Sequence, residues 1–110
     1  MNAGDIVIVD FLGATGIKRW PALVVSSDNY HAERPDVILA VITSNVTAAT
    51  AVTDHLLKDW ATAGLKKASA FRAFFGTYDR NKVGVIIGKL SVSDWIAVKE
   101  RLRVVFNLEN

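Results

Sequence analysis

The sequence predicts a mainly β domain with added α structure: a small, strongly curved sheet or partial barrel with one C-terminal helix. Three observations point there. Short runs rich in Val, Ile, Phe and Thr recur between turn residues, which is the pattern of strands. They do not alternate with long amphipathic segments, so a doubly wound βαβ sheet is not expected. The one stretch with sustained helical periodicity comes last, after Ser91.

Taken in order, residues 6–11, 21–26 and 37–43 read as strands, each β-rich and bounded by turn formers. Between the first two, FLGATGIKR at 11–19 carries Gly13 and Gly16 and predicts a mobile loop. Further strands are expected at 52–57, 70–75 and 83–90. Residues 59–66 have room for one or two helical turns closing at Gly64. At the long helix, Ser91-x-x-Asp94 is a capping pattern: the Ser oxygen takes an orphan amide and the acid sits at the positive dipole end. Trp95, Val98, Leu102 and Val105 then repeat on one face, opposite Lys99, Glu100 and Arg103.

Composition narrows the class. A chain of 110 residues, 51% hydrophobic and 22% charged, predicts a single globular domain over 1–110. No apolar run approaches the roughly 20 residues of a membrane span, and the start lacks a signal peptide's pattern. The absence of Cys removes disulfide scaffolds and thiolate metal sites and agrees with a reducing, cytoplasmic setting. A net charge of +2 carries no argument for nucleic acid by itself, so any basic surface must be local.

Common catalytic motifs are missing: there is no GxGxxG, GxxxxGK[ST], HExxH or GxSxG. His31 and His55 lack metal-ligand spacing. His55 beside Asp54 has the form of a base with an orienting acid, but a partly exposed strand histidine is the favoured reading. Lys66-Lys67 and residues 80–82 read as solvated turn charges.

Two places resist a bland reading. Arg72 stands inside SAFRAFF, where a cation needs a carboxylate partner, a functional anion, or a stem that packs while its head reaches water. IKRWPALVVSSD mounts Lys18, Arg19 and Trp20 on the lip of an interior strand. That is either a solvated strand end with a packing Trp or the edge of a phosphate site. In VITSN, Thr43 and Ser44 end an apolar strand, where hydroxyls commonly terminate a ladder.

GDIVIVDF at 4–11, KRWPALVVSSD at 18–28, VITSN at 41–45, DWATAGLKKASAFR at 59–72 and GKLS at 88–91 together resemble MazF/PemK-type toxins of bacterial toxin–antitoxin pairs. The likeness runs in order from Gly4 to about Leu108. It implies an SH3-like, partly open β-barrel plus a C-terminal α-helix, a homodimer, and a sequence-selective endoribonuclease of the mRNA interferase type that needs no metal or other cofactor. It also implies single-stranded RNA as substrate, and a cognate antitoxin whose C-terminal segment blocks the RNA groove.

Carried over residue by residue, the resemblance assigns Arg19, Thr43 and Arg72 to catalysis and Lys18, Trp20, Ser44 and Ser69 to substrate binding. The family's Arg before the strand-opening Pro is Trp20 here, with the cation one place earlier at Arg19. The acid that the PemK branch carries two places after its Arg is replaced by Phe74. The implied chemistry is attack by an RNA 2′-hydroxyl on its neighbouring phosphate, giving a 2′,3′-cyclic phosphate. The arginines stabilise charge, and Thr43 and Ser44 supply hydrogen bonds. His31 and His55 qualify as proton carriers by residue type only. Two other readings remain open: a same-fold toxin poisoning a protein target, as CcdB-type gyrase inhibitors do, and a non-catalytic RNA- or partner-binding barrel.

Overall fold

Consecutive apolar residues, rather than strict alternation, mark the central strands, and the reason is burial on both faces. In the computed structural model, which describes residues 1–108 apart from the side chains of residues 11–13, six strands form one curled, half-barrel sheet. They are β1 (Asp5–Gly13), β2 (Gly16–Val24), β3 (Asp36–Thr43), β4 (His55–Leu56), β5 (Ala70–Asp79) and β6 (Val83–Lys89). Their order is β4-β5-β3-β2-β1-β6, antiparallel throughout. Helices α1 (Asp28–Glu33) and α2 (Val92–Val105) complete the fold. No helix among the described residues is long and apolar enough to cross a membrane.

Ile6, Leu23, Ala40, Ile42 and Phe71 point to one side, where they pack with Leu57, Leu65, Leu90 and Val98 of α2. Their strand neighbours Val7, Val24, Val37 and Leu39 fill a second core on the opposite face, with Tyr78 and Val83. Period-two alternation therefore serves two cores at once. The helix faces follow the sequence: Val98 is buried, and Trp95 and Leu102 pack against the first core.

Several boundaries differ from those expected. Residues 11–19 are not a loop. β1 and β2 run on as a hairpin to Gly13 and Gly16, with Asp10 opposite Arg19 and Phe11 opposite Lys18. Gly16, at φ 126, supplies the positive φ that a tight turn needs. The strand expected at 52–57 shrinks to two residues, because Asp54 closes a turn on Ala51: its Oδ2 accepts from Ala51 N at 3.0 Å while its own amide donates to Ala51 O. Residues 59–66 do make one helical turn, with Ala63 N donating to Asp59 O at 3.2 Å, and it closes at Gly64 (φ 92), where Gly64 N donates to Ala61 O and Leu65 N to Trp60 O. They lie so close to β6 that a Cβ on Gly64 would meet Ile87 O and one on Gly88 would meet Ala63 O. The short α1, capped by Ser27 Oγ on Tyr30 N, was not signalled by periodicity, since six residues are too few to show one.

The Ser91 cap forms as expected, with Asp94 N donating to Ser91 Oγ at 3.1 Å. Asp94 stands in the first turn as expected, and it is 1% exposed. It accepts from Lys58 N at 3.0 Å, Asp59 N at 2.8 Å and His55 Nε2 at 2.9 Å. Burial pushes this carboxyl up, but the amides of Lys58 and Asp59 and the His55 ring pull it further down, so it lies below the usual carboxylate range. Asp94→Ala should cost at least about 3 kcal/mol in denaturant unfolding, since it strands several buried donors. A carboxyl held below its unfolded value stabilises the fold above that value and loses the increment as pH falls through the folded one. The stability gap between wild type and variant should therefore narrow below about pH 4; a constant gap would mean that the ionised carboxylate is not what the site uses.

Candidate active site

The sheet brings three of the singled-out residues onto one face. Ala22 pairs with Val41, Val41 with Arg72, and Thr43 with Ala70. Two-residue alternation from these pairs places Trp20, Thr43 and Arg72 on the same side of the adjacent strands β2, β3 and β5. Arg19 takes the opposite side of β2, that of Pro21, and its Nε lies 3.1 Å from Asp10 Oδ1 across the hairpin. Both partners of that pair are well exposed, so it holds Arg19 only weakly.

A carboxylate partner meets the Arg72 charge. Arg72 Nε donates to Asp54 Oδ1 at 3.3 Å, and the Asp54 side chain is almost wholly buried. Asp54 is fixed in turn by Ala51 N on its other oxygen and by Arg101 Nε, which donates from α2 to its carbonyl at 3.2 Å. Among the described residues the Arg72 hydrogen bond uses Nε alone. The four N–H donors on its terminal nitrogens remain for an anion. Its guanidinium carbon also lies 5.0 Å from the centroid of the Phe74 ring, within cation–π range.

The sheet register explains that contact. Ala40 pairs with Phe75 and Val41 with Arg72, so Ala73 and Phe74 form a bulge with no partners on β3. Bulges re-aim side chains, and Phe74 is left 58% exposed.

Two clefts meet at Trp20. The larger, about 640 Å3, gathers Trp20, Thr43, Ser44 and Ser69 with Lys66 and Lys67. Four of the seven predicted site residues thus share one hollow. The paired lysines, which the sequence presents as ordinary turn charges, supply its local basic character. Thr43 Oγ1 accepts from Asn45 N at 3.1 Å and shapes the strand end. Ser69 is buried and donates to Lys67 O at 2.8 Å, so its hydroxyl supports the loop that carries the lysines. Lys18 and Arg19 are exposed on the hairpin. The smaller cleft, about 160 Å3, lies between Trp20 and Phe74.

The histidines are engaged elsewhere. His55 does have an orienting acid, but it is Asp94 and not the adjacent Asp54. His31 is buried with Nε2 2.6 Å from Ser26 Oγ, which also accepts from Ile38 N. Neither ring lines either cleft. Among the described residues no group of three or more His, Asp or Glu side chains is arranged to hold a metal ion. Phe74 was noted in the sequence only as a lost acid; the bulge that exposes it depends on a pairing register that composition does not encode.

The fold and chain match known proteins. The family model described as PemK-like, MazF-like toxin of type II toxin–antitoxin system covers residues 2–106. No curated sequence matches the chain. Among solved structures, a mycobacterial endoribonuclease in complex with its cognate antitoxin superposes with a TM-score of 0.78 at 16% identity, over 100% of this chain and 98% of that one. The Mycobacterium tuberculosis toxin MazF-mt6 gives 0.78 at 23% identity, over 96% and 99%. A MazE–MazF structure from Deinococcus radiodurans gives 0.75 at 17% identity, over 99% and 97%. With the family model spanning nearly the whole sequence and the curled sheet superposing on these toxins, the chain belongs to the PemK-like, MazF-like toxins of type II toxin–antitoxin systems.

Proposed function

We propose that the protein is a sequence-selective endoribonuclease toxin that cuts single-stranded RNA without a metal and is neutralised by a cognate antitoxin. The observation that carries this reading is the placement of Thr43 and Arg72 on one face of β3 and β5, with Thr43 also lining a cleft that bears Lys66 and Lys67. The family to which the chain belongs, and the endoribonuclease and antitoxin complex among its structural neighbours, support it.

The chemistry follows from what these groups do. RNA carries its own nucleophile, so the protein has to align the 2′-oxygen, phosphorus and leaving 5′-oxygen and stabilise the charge that builds on phosphorus. Arg72, anchored through Nε, keeps a planar pair of terminal nitrogens for two phosphate oxygens. The hydroxyls of Thr43 and Ser44 lie at the cleft, where they donate to phosphate or 2′-oxygen. Lys66, Lys67 and Lys18 attract the backbone. DNA is rejected because it lacks the attacking hydroxyl. Arg19, on the Pro21 side of β2 and paired with exposed Asp10, fits a contact along the strand's path better than one with the scissile phosphate.

The buried Asp54 changes the choice of variant at Arg72, because Arg72→Ala would strand that carboxylate and lower stability as well. Arg72→Lys keeps a cation beside Asp54 and removes the fork. It should unfold close to wild type while cleavage of a long RNA in chelator falls roughly 10²-fold; parallel losses of stability and activity would make Arg72 structural. Wild-type protein that cleaves nothing under these conditions would sink the nuclease reading, with RNA binding alone favouring the non-catalytic barrel.

Arg19→Ala, read in the same assay, should cost at most about 10-fold, the worth of roughly 1.4 kcal/mol of transition-state binding. Trp20→Arg adds a phosphate ligand on the Thr43 face and should raise cleavage at saturating RNA; an Arg19→Ala loss larger than that of Arg72→Lys would return the leading role to Arg19. We further propose a homodimer, since exposed Val92 and Ile96 give the outer side of α2 an apolar surface. Sedimentation of only monomer at micromolar concentration would remove it.

A further inference from the structure

We propose that the smaller cleft seats one pyrimidine base of the RNA strand between Trp20 and Phe74, so that the protein selects by ring size beside the bond it cuts. This rests on the reading of the chain as an RNA-cleaving toxin and adds the class of base. The two walls are large aromatic side chains kept in water at a cost: Trp20 is 48% and Phe74 58% exposed. Both line the same cleft, whose other lining side chains are all apolar or aromatic. Such a surface offers faces for stacking and few side-chain partners for the hydrogen-bonding edge of a base, so it is suited to one ring's shape rather than to edge readout.

Size and charge select the occupant. About 160 Å3 is the volume that holds a single benzene-sized ring, which a pyrimidine matches and a two-ring purine exceeds. Tyr78 bounds the far end, its ring lying over Gly76 so closely that a Cβ there would meet Cε1 at 2.8 Å. Arg72 does not line the cleft, but its guanidinium carbon lies 5.0 Å from the centroid of the Phe74 ring that does. A cation fixed against one wall of an apolar slot suits a ligand that joins a flat ring to an anion within one unit. A nucleotide does so, and an apolar peptide side chain does not. Thr43 shares the face of Trp20 and Arg72, so a base held here leaves its phosphate beside the proposed reacting groups.

The test uses 2′-O-methyl RNA oligomers, which bind but lack the attacking hydroxyl, with affinity read by fluorescence anisotropy. Oligo-U and oligo-C should bind wild type at least ~5-fold tighter than oligo-A. Phe74→Ala and Trp20→Ala should each weaken pyrimidine binding ~10-fold, the loss of one base stack, and remove the preference. Phe74→Tyr, which keeps the ring, should retain both, and thereby separates stacking from a folding defect. Equal affinity for oligo-A and oligo-U, no binding of any oligomer, or a Phe74→Ala variant that binds as wild type overturns the proposal. Cleavage of unmodified RNA with no pyrimidine bias overturns the base seat and leaves the nuclease standing; Phe74-dependent pyrimidine binding without cleavage does the reverse.

Discussion

The carboxylate of Asp94 is the constraint on which the rest of the structure depends. One buried group satisfies the amides of Lys58 and Asp59 and the ring of His55, and so fastens α2 to the edge strand β4 and to the irregular segment after it. That segment holds only a single helical turn of its own. It reaches its place against β6 through Gly64 and Gly88 and is pinned at its start by Asp94. Without this pin, residues 58–67 would lose their anchor, and with them the lysines that line the larger cleft. A carboxylate only accepts, so Nε2 of His55 is the donor in this contact, and the ring is committed to holding Asp94.

A second buried acid performs the equivalent task beside Arg72. Asp54 closes the turn at Ala51, holds Arg72 by Nε, and is itself held by Arg101 from α2. The helix therefore reaches the candidate site twice, through two different aspartates. An arginine fixed by one nitrogen loses little further freedom on binding phosphate, which is what charge stabilisation in a transition state demands. Asp54 also keeps the guanidinium from burying itself unpaired, so a single contact answers both the folding and the functional requirement.

What the sequence disclosed divides along the range of the interactions. The strand runs, the capped C-terminal helix and its Val98 face follow from local periodicity and were legible, as was the mainly β architecture. The hairpin through residues 11–19 was not, because Gly13 and Gly16 signal a turn without saying how far pairing continues on either side. His55 shows the limit most clearly. Its neighbour Asp54 is the obvious partner in one dimension, yet the acid that binds it lies 39 residues away. Arg72 posed its question correctly from burial alone, and only the tertiary fold could name the partner, 18 residues upstream. Thr43, Ser44, Trp20 and Ser69 converge on one cleft, but Lys66 and Lys67 were passed over because a solvated lysine pair looks the same in sequence wherever it points.

Trp20 explains how one chain presents two dissimilar surfaces side by side. It stands at the junction of the clefts, walling both. On one side lie hydroxyls and lysines suited to a phosphate backbone; on the other lies an apolar slot suited to a ring. A nucleic-acid strand has the same division, with charge along one edge and flat hydrophobic faces along the other. The bulge in β5 is what aligns them, since it displaces Phe74 outward without moving Arg72 from its pair with Val41. Restoring regular pairing there would turn Phe74 over or shift Arg72 off the Thr43 face. The exposed ring and the anchored cation are thus products of the same two unpaired residues.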